Sequence, residues 1–193
     1  MKVAAAVSIL AGAATTMAQN VQSKPFNLVL TADNKDVDGK FISACHAGAA
    51  IESLCISETP TTMHHNTTQG ATPDDGYSSA SGILTWTLPA NVPFSESMIL
   101  QTNPSSNVAQ AMFFPGTDSQ YVTFDTKELM TITSYVDDTT DPITAGETTP
   151  YYRWYICDSY FTAYRYKTLS WVYGAGEPQN PTCVKVDVKR QFE

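Results

Sequence analysis

The chain has 193 residues, 42% of them hydrophobic and 16% charged, and its formal net charge is −8 at pH 7. This length fits one domain that can bury an adequate core. Nucleic acid and anionic membrane surfaces repel a negative protein, so we expect neither as a partner.

The N-terminus has the pattern of a secretory signal peptide. Lys2 supplies a positive start, and Val3–Ala14 form an apolar run. Thr16–Ala18 then place small residues at the positions that signal peptidase recognises before the cleavage site. The alternative is a membrane anchor, but a spanning helix needs about 20 apolar residues and this run is shorter. We predict a signal peptide over residues 1–18 and a single secreted β domain over residues 19–193, extracellular and either free or associated with a cell wall.

The remaining sequence has the periodicity of short β-strands. Apolar and polar residues alternate in runs that are separated by turn-forming clusters such as Pro73–Gly76 and Asp137–Pro142. One helix-like stretch, Ala47–Leu54, is short and interrupted by Gly48. Many short strands predict an all-β fold, specifically an antiparallel β-sandwich, with a trefoil-like β-barrel as the alternative. In chain order the predicted strands are Phe26–Thr31, Ile83–Leu88, Ala111–Phe114, Tyr121–Phe124, Met130–Val136, Tyr151–Cys157, Tyr160–Thr168 and Cys183–Val188.

The four cysteines predict two disulfides. An even number is expected of an exported protein, and no two cysteines have the close spacing of a zinc site. Four cysteines allow three pairings. We expect Cys45 to pair with Cys55 and Cys157 with Cys183, because both pairings are local in sequence. Strand alternation also places Cys157 and Cys183 on the same side of their strands.

The polar stretch around residue 66 carries a glycosylation sequon, in which two threonines follow Asn66. We predict that Asn66 is a surface glycan acceptor and that His64 and His65 lie in the same exposed loop. Adjacent side chains of an extended chain point to opposite sides, so this pair does not indicate a metal site. Asn34–Gly39 has half of a calcium-loop pattern but lacks the final acidic ligand, so a hairpin turn is the better interpretation. We expect no metal and no cofactor.

No catalytic residue can be assigned from the sequence. A G-x-S-x-G nucleophile motif is absent, and the cysteines are expected to be in disulfides. A glycosidase needs two facing carboxylates, and Glu52 and Asp158, set among apolar neighbours, are the first pair to test. We expect a protein without catalytic activity. A small extracellular glycoside hydrolase is the alternative function, and a structural wall protein is a third.

Ten aromatic residues fall within the 23 residues from Tyr151 to Tyr173. Exposed aromatic rings stack on sugars and anchor protein interfaces, whereas buried ones form cross-strand pairs in a core. Strand alternation assigns five residues to the interior, namely Tyr152, Trp154, Ile156, Tyr164 and Tyr166. The outer face is then formed by Tyr151, Arg153 and Tyr155, joined by Arg165 and Lys167, with Trp171 and Tyr173 at its rim.

This outer face is the predicted ligand site, and a cell-wall polysaccharide or an extracellular protein is its expected partner. Rings flanked by basic groups suit a sugar or an acidic partner, because stacking supplies contact area and arginine adds directional hydrogen bonds. The alternative is that the same residues form cross-strand and cation–π pairs without any ligand. The expected function is a non-catalytic binding module that acts at a cell wall or on a host or competitor molecule.

Several segments also carry a family resemblance, and these are Ala44–Glu52, Ser106–Ala109, Phe114–Gly116, Tyr151–Cys157, Tyr164–Trp171 and Pro178–Val186. Together they resemble an uncharacterised family of small secreted cysteine-containing fungal proteins. The resemblance spans most of the chain after the signal and is most specific in the C-terminal third. It implies a fungal exported protein with a domain of unknown function, and it brings no catalytic residues with it.

Overall fold

The computed structural model describes residues 20–193, so the predicted signal peptide lies outside the described residues. These residues form fifteen strands and no helix, and every pairing between strands is antiparallel, which confirms the predicted all-β antiparallel fold. The strands are β1 (Asn20–Gln22), β2 (Phe26–Thr31), β3 (Phe41–Gly48), β4 (Ile51–Ser57), β5 (His64–Thr68), β6 (Gly82–Leu88), β7 (Phe94–Thr102), β8 (Val108–Phe114), β9 (Tyr121–Phe124), β10 (Met130–Asp137), β11 (Thr144–Tyr151), β12 (Trp154–Phe161), β13 (Tyr164–Val172), β14 (Val184–Lys185) and β15 (Asp187–Phe192). Residues 20–193 contain no helix long and apolar enough to cross a bilayer.

The strands make one hydrogen-bonded sheet that curls into a half-barrel. Its main path runs β11-β10-β9-β6-β7-β8-β13-β4-β3-β2-β15. Strands far apart on this path meet across the interior, where Phe26 of β2 and Phe124 of β9 lie edge to face with ring centroids 5.7 Å apart. A bridge between Leu129 and Lys189 also links β15 to the turn before β10. The curl therefore lets the sheet enclose its own core.

The core follows from the alternation of apolar residues along each strand. Phe26, Leu28 and Leu30 of β2 are buried, and the residues between them are less so. Trp154 and Ile156 of β12 belong to the same core and are also buried, as the alternation predicts. The Trp154 indole donates a hydrogen bond from Nε1 to the Met130 carbonyl oxygen at 2.9 Å, so its one polar atom is satisfied inside the core.

The helix-like stretch Ala47–Leu54 consists of the end of β3, a two-residue turn at Ala49 and Ala50, and the start of β4. β3 ends at Gly48, Ala50 has a positive φ of 54°, and β4 begins at Ile51. Two of the small residues that suggested a helix, Ala49 and Ala50, instead reverse the chain, and the left-handed backbone at Ala50 disfavours branched or bulky side chains.

Both disulfides pair as predicted, Cys45 with Cys55 and Cys157 with Cys183. The first links β3 to β4. The second links β12 to the segment before β14 and lies in a small second apolar cluster, on the opposite face of β12 from the main core. This cluster contains Cys157 and Cys183 together with Val108, Tyr155 and Val172. The segment after Gly176 is therefore held against the outer side of the sheet.

The β12–β13 hairpin is the longest pairing in the region rich in aromatic residues. Its register runs from Trp154 opposite Trp171 to Phe161 opposite Tyr164. The far end is anchored on β3, because the Thr162 hydroxyl donates to the Ala47 carbonyl at 3.1 Å. This anchored hairpin positions the side chains of Tyr160, Arg165 and Lys167.

Candidate functional site

The predicted outer face does not form one continuous exposed surface. Tyr151 ends β11 and packs against the main core, whereas Tyr155 lies in β12 and packs against the second apolar cluster. Arg153 lies over the Tyr151 ring with its guanidinium carbon 4.5 Å from the centroid, and Lys185 Nζ is 5.0 Å from the centroid of Tyr155. Each ring is half-buried and already covered by a cation, as the cation–π alternative expects.

The alternation argument fails at Tyr152 because the strand is not continuous there. β11 ends at Tyr151 and β12 begins at Trp154, so residues between them do not obey a shared alternation. Tyr152 lies outside the main core and donates its hydroxyl to Asp125 Oδ2 at 2.9 Å. Burial and this hydrogen bond raise the pKa of Tyr152 to about 12.

Trp171 is a core residue, and its predicted place at an exposed rim is wrong. Its side chain is 5% exposed, and its ring centroid lies 4.8 Å from that of Trp154, directly opposite in the hairpin register. The nearby glycines begin only after β13 has ended, so they do not expose it. Tyr173, one residue beyond the strand, is exposed.

Tyr164 and Tyr166 also lie outside the main core. They stack on each other with centroids 6.3 Å apart, and the Tyr166 hydroxyl donates to the His46 carbonyl at 2.9 Å. They are half-buried against the end of β3 because the hairpin extends past the region that the core fills. Their role is to hold the hairpin on β3.

Arg165 and Lys167 are remote from the predicted face and form part of a different surface. The hairpin register places Arg165 opposite Tyr160 and Lys167 opposite Asp158, several residues from Tyr155. Tyr160 is 64% exposed, and the Arg165 guanidinium carbon is 5.4 Å from its ring centroid. This end of the hairpin therefore presents the exposed aromatic and basic groups that the sequence placed elsewhere.

Two grooves flank Tyr160, with volumes of about 350 and 370 Å3. Both are lined by Asp158, Ser159 and Tyr160, and the smaller-volume groove continues over β7, β8 and the loop between them. Its other polar lining consists of amide and hydroxyl side chains: Gln101, Thr102, Asn103, Ser106, Gln110, Ser170 and Asn180. We call this surface, with Arg165 and Lys167, the Tyr160 grooves.

The groove walls are held in place by local hydrogen bonds. The Asn180 side chain donates to the Asp158 carbonyl at 3.0 Å, and the Thr182 hydroxyl accepts from the Asp158 backbone N–H at 2.9 Å. The disulfide from Cys157 to Cys183 fixes the same two segments together. The sequence carries a signal for part of this arrangement, since the Asn180-Pro181 pair favours a turn.

The proposed carboxylate pair Glu52 and Asp158 does not form. Asp158 is exposed in the hairpin, whereas Glu52 is buried with its Oε1 3.5 Å from His46 Nδ1. The carboxylate that Glu52 does approach is Glu96, which the sequence did not single out. Burial and then the negative charge of Glu52 raise the pKa of Glu96 to about 7, and burial raises the pKa of Glu52. Both Glu96 carboxylate oxygens are shielded from solvent, so a substrate does not reach them in this structure.

His64 and His65 belong to strand β5, so their predicted place in an exposed loop is wrong. β5 is paired on both sides, with β1 and β6. His65 is 2% exposed and hydrogen-bonds through Nε2 to the Val122 carbonyl at 3.2 Å. Burial lowers its pKa to about 4, so the ring is neutral at pH 7. Asn66 follows in the same strand and is half-buried, and its glycosylation stays a prediction.

Comparison with known proteins identifies one family. The family model described as Domain of unknown function (DUF7907) matches residues 23–192. No curated protein and no solved structure matches the chain. The match agrees with the resemblance to an uncharacterised family, and fungal origin and export stay predictions.

Proposed function

We propose that this chain, which belongs to the family described as Domain of unknown function (DUF7907), is a secreted binding module that holds a carbohydrate in the Tyr160 grooves. The observation that carries the proposal is the exposed ring of Tyr160 between two grooves with amide, hydroxyl and charged walls. The expected setting is a cell wall, or the surface of a host or competitor cell.

The chemistry of the grooves supports a sugar ligand. A sugar has apolar C–H faces that stack on an aromatic ring and a rim of hydroxyl groups that need both donors and acceptors. Tyr160 offers the ring, the Gln101 amide oxygen can accept, and the Asn103 amide nitrogen can donate. Asp158 and Arg165 add charged acceptors and donors, which make the stronger hydrogen bonds.

Tyr160 is a better stacking platform than the rings of the predicted face. Tyr151 and Tyr155 are half-buried and each is already covered by a cation, so a sugar would have to displace Arg153 or Lys185. The Arg165 guanidinium carbon also lies over the Tyr160 ring, but at 5.4 Å from its centroid it is farther away, and 64% of Tyr160 remains open to solvent.

The test is retention of the mature protein on insoluble chitin, glucan and cellulose. Tyr160→Ala should weaken retention on the preferred polymer by about tenfold, because a lost aromatic contact is worth about 1.5 kcal/mol or more. Tyr135→Ala is the matched control, since Tyr135 is 65% exposed in β10, away from the Tyr160 grooves. Equal thermal stability of the two variants separates lost binding from unfolding.

Other results of these experiments would favour a different binding face or a different function. If Tyr151→Ala with Tyr155→Ala weakens retention while Tyr160→Ala does not, the ligand binds the predicted face and the groove assignment is wrong. Release of soluble sugar that disappears in Glu52→Gln favours the glycoside hydrolase. No retention on any polymer would refute carbohydrate binding and leave an extracellular protein partner or a structural wall role.

A further inference from the structure

A separate cavity of about 590 Å3 lies between β1, β5 and the end of β15. Its volume is within the range of about 300–1,000 Å3 that is typical of small-molecule sites. The wall is mostly apolar and includes Val21, Pro73, Ala80 and Phe192. It shares no lining residue with the Tyr160 grooves, so it would be an independent site.

A buried arginine lines this cavity. Arg190 is 5% exposed, and its guanidinium carbon lies 4.1 Å from the ring centroid of Phe124 and 4.6 Å from that of Phe192. Nε donates to Glu128 Oε2 at 2.7 Å, and Nη2 forms an ion pair with the same oxygen and donates to Ser78 Oγ at 3.1 Å. Among residues 20–193 no hydrogen bond uses Nη1, so its two N–H groups are available to an acceptor.

The charges around the cavity are balanced. Arg190 is neutralised by Glu128, and Lys24 and Glu193 bring one charge of each sign to the lining. His65 also lines the cavity, but its ring is neutral because it is buried, and its Nε2 is occupied by the Val122 carbonyl. An anionic ligand would gain no net attraction here, and the negative charge of the whole protein would repel it.

We propose that this cavity binds a small, neutral, largely apolar molecule through a carbonyl or hydroxyl oxygen that accepts from Arg190 Nη1. The apolar walls would bury the body of the molecule, and Nη1 would fix its orientation. A charged donor in a site of low dielectric makes a stronger hydrogen bond than a neutral donor does. The site is independent of the proposed carbohydrate function, and either can fail without the other.

The proposal can be tested with fluorescent probes of known chemistry. Prodan, a neutral naphthyl ketone, should bind one per protein with a blue-shifted emission. Dimethylaminonaphthalene has the same ring system without the ketone. It should bind about tenfold more weakly, because it lacks the oxygen that would accept one hydrogen bond from the charged Arg190 side chain. Anilinonaphthalene sulfonate, an anion, should bind more weakly than Prodan. Equal affinity of the two neutral probes would overturn the role of Arg190, and tighter binding of the anion would overturn the neutral ligand class.

Cavity-filling variants locate the bound probe without disturbing Arg190. Ala71→Trp and Ala80→Leu add bulk to the lining and should each weaken Prodan binding by about tenfold or more. Ala90→Trp is the matched control, because Ala90 is an exposed alanine in the loop after β6, outside this lining. Absence of saturable Prodan binding, or equal weakening by all three variants, would refute the site.

Discussion

His65 and Glu96 are two buried titratable side chains with opposite effects on stability. His65 is held neutral in the folded state, with a pKa lowered to about 4, and Glu96 is held protonated, with a pKa raised to about 7. Both are 2% exposed, and burial is the first cause of both shifts. We predict that their contributions to the free energy of unfolding oppose each other between about pH 4.5 and 6.5.

The sign for His65 follows from which state binds protons. An unfolded histidine has a pKa near 6.5, so as the pH falls below 6.5 the unfolded chain gains a proton that folded His65 does not take. Its contribution is present above pH 6.5 and is lost as the pH falls to about 4. The difference between 6.5 and 4 corresponds to about 3 kcal/mol.

Glu96 behaves in the opposite way. An unfolded glutamate ionises near 4.5, whereas folded Glu96 stays protonated to about 7, so stability is lost as the pH rises between these values. The difference between 4.5 and 7 corresponds to about 3 kcal/mol, and because the protein relaxes around an ionised carboxylate we expect a loss of about 2 kcal/mol. The combined contribution of the two residues should therefore vary little over the shared pH window.

The assay is urea unfolding, followed by tryptophan fluorescence from pH 4 to 8. Glu96→Gln should be about 2 kcal/mol more stable than the wild type at pH 8 and similar to it at pH 4. In His65→Gln the amide retains a donor for the Val122 carbonyl, and stability should now fall as the pH rises from 4.5 to 7. His64→Gln, at the half-buried neighbouring position, is the control. If both variants keep the wild-type dependence on pH, these residues are not held in the protonation states assigned here.

Two further predictions concern packing. Gly82→Ala should destabilise the fold by about 1–3 kcal/mol, because an added Cβ would lie 2.5 Å from the Asn66 carbonyl oxygen. Gly146→Ala is the control and should have little effect, since its added Cβ meets open space. Equal melting temperatures of the two variants would contradict the close contact at Gly82. Trp154→Ala should lower the free energy of unfolding, measured with heat or urea, by about 3–5 kcal/mol, because the Trp154 ring is buried in the core. Tyr160→Ala should lower it little, since Tyr160 is exposed. A well-tolerated Trp154→Ala would contradict the assigned core.

Local pattern was enough to predict the class of fold, part of the core and the disulfides. Phe26, Leu28 and Leu30 alternate with more exposed residues, and the structure buries them as expected. The pairing of Cys157 with Cys183 was predicted from closeness in sequence and from alternation within two short strands, and the structure confirms it. Such inferences succeed because alternation between the two faces of a strand is a property of a few consecutive residues.

The candidate site depended on which strands become neighbours, and the local sequence pattern does not contain that information. The predicted face containing Tyr151 rested on an alternation that ends at the break between β11 and β12. Trp171 is buried because the hairpin register places it opposite Trp154 of β12. Glu52 approaches Glu96, which lies on a strand distant in sequence.

The sequence by itself determined that the chain forms antiparallel strands with two local disulfides. Only the tertiary structure decided that Tyr160 lies open between two grooves and that His65 and Arg190 are buried beside a cavity. The physical reason is that side-chain burial depends on which strands become neighbours when the sheet curls. That choice minimises exposed apolar area over the whole chain rather than within any one segment.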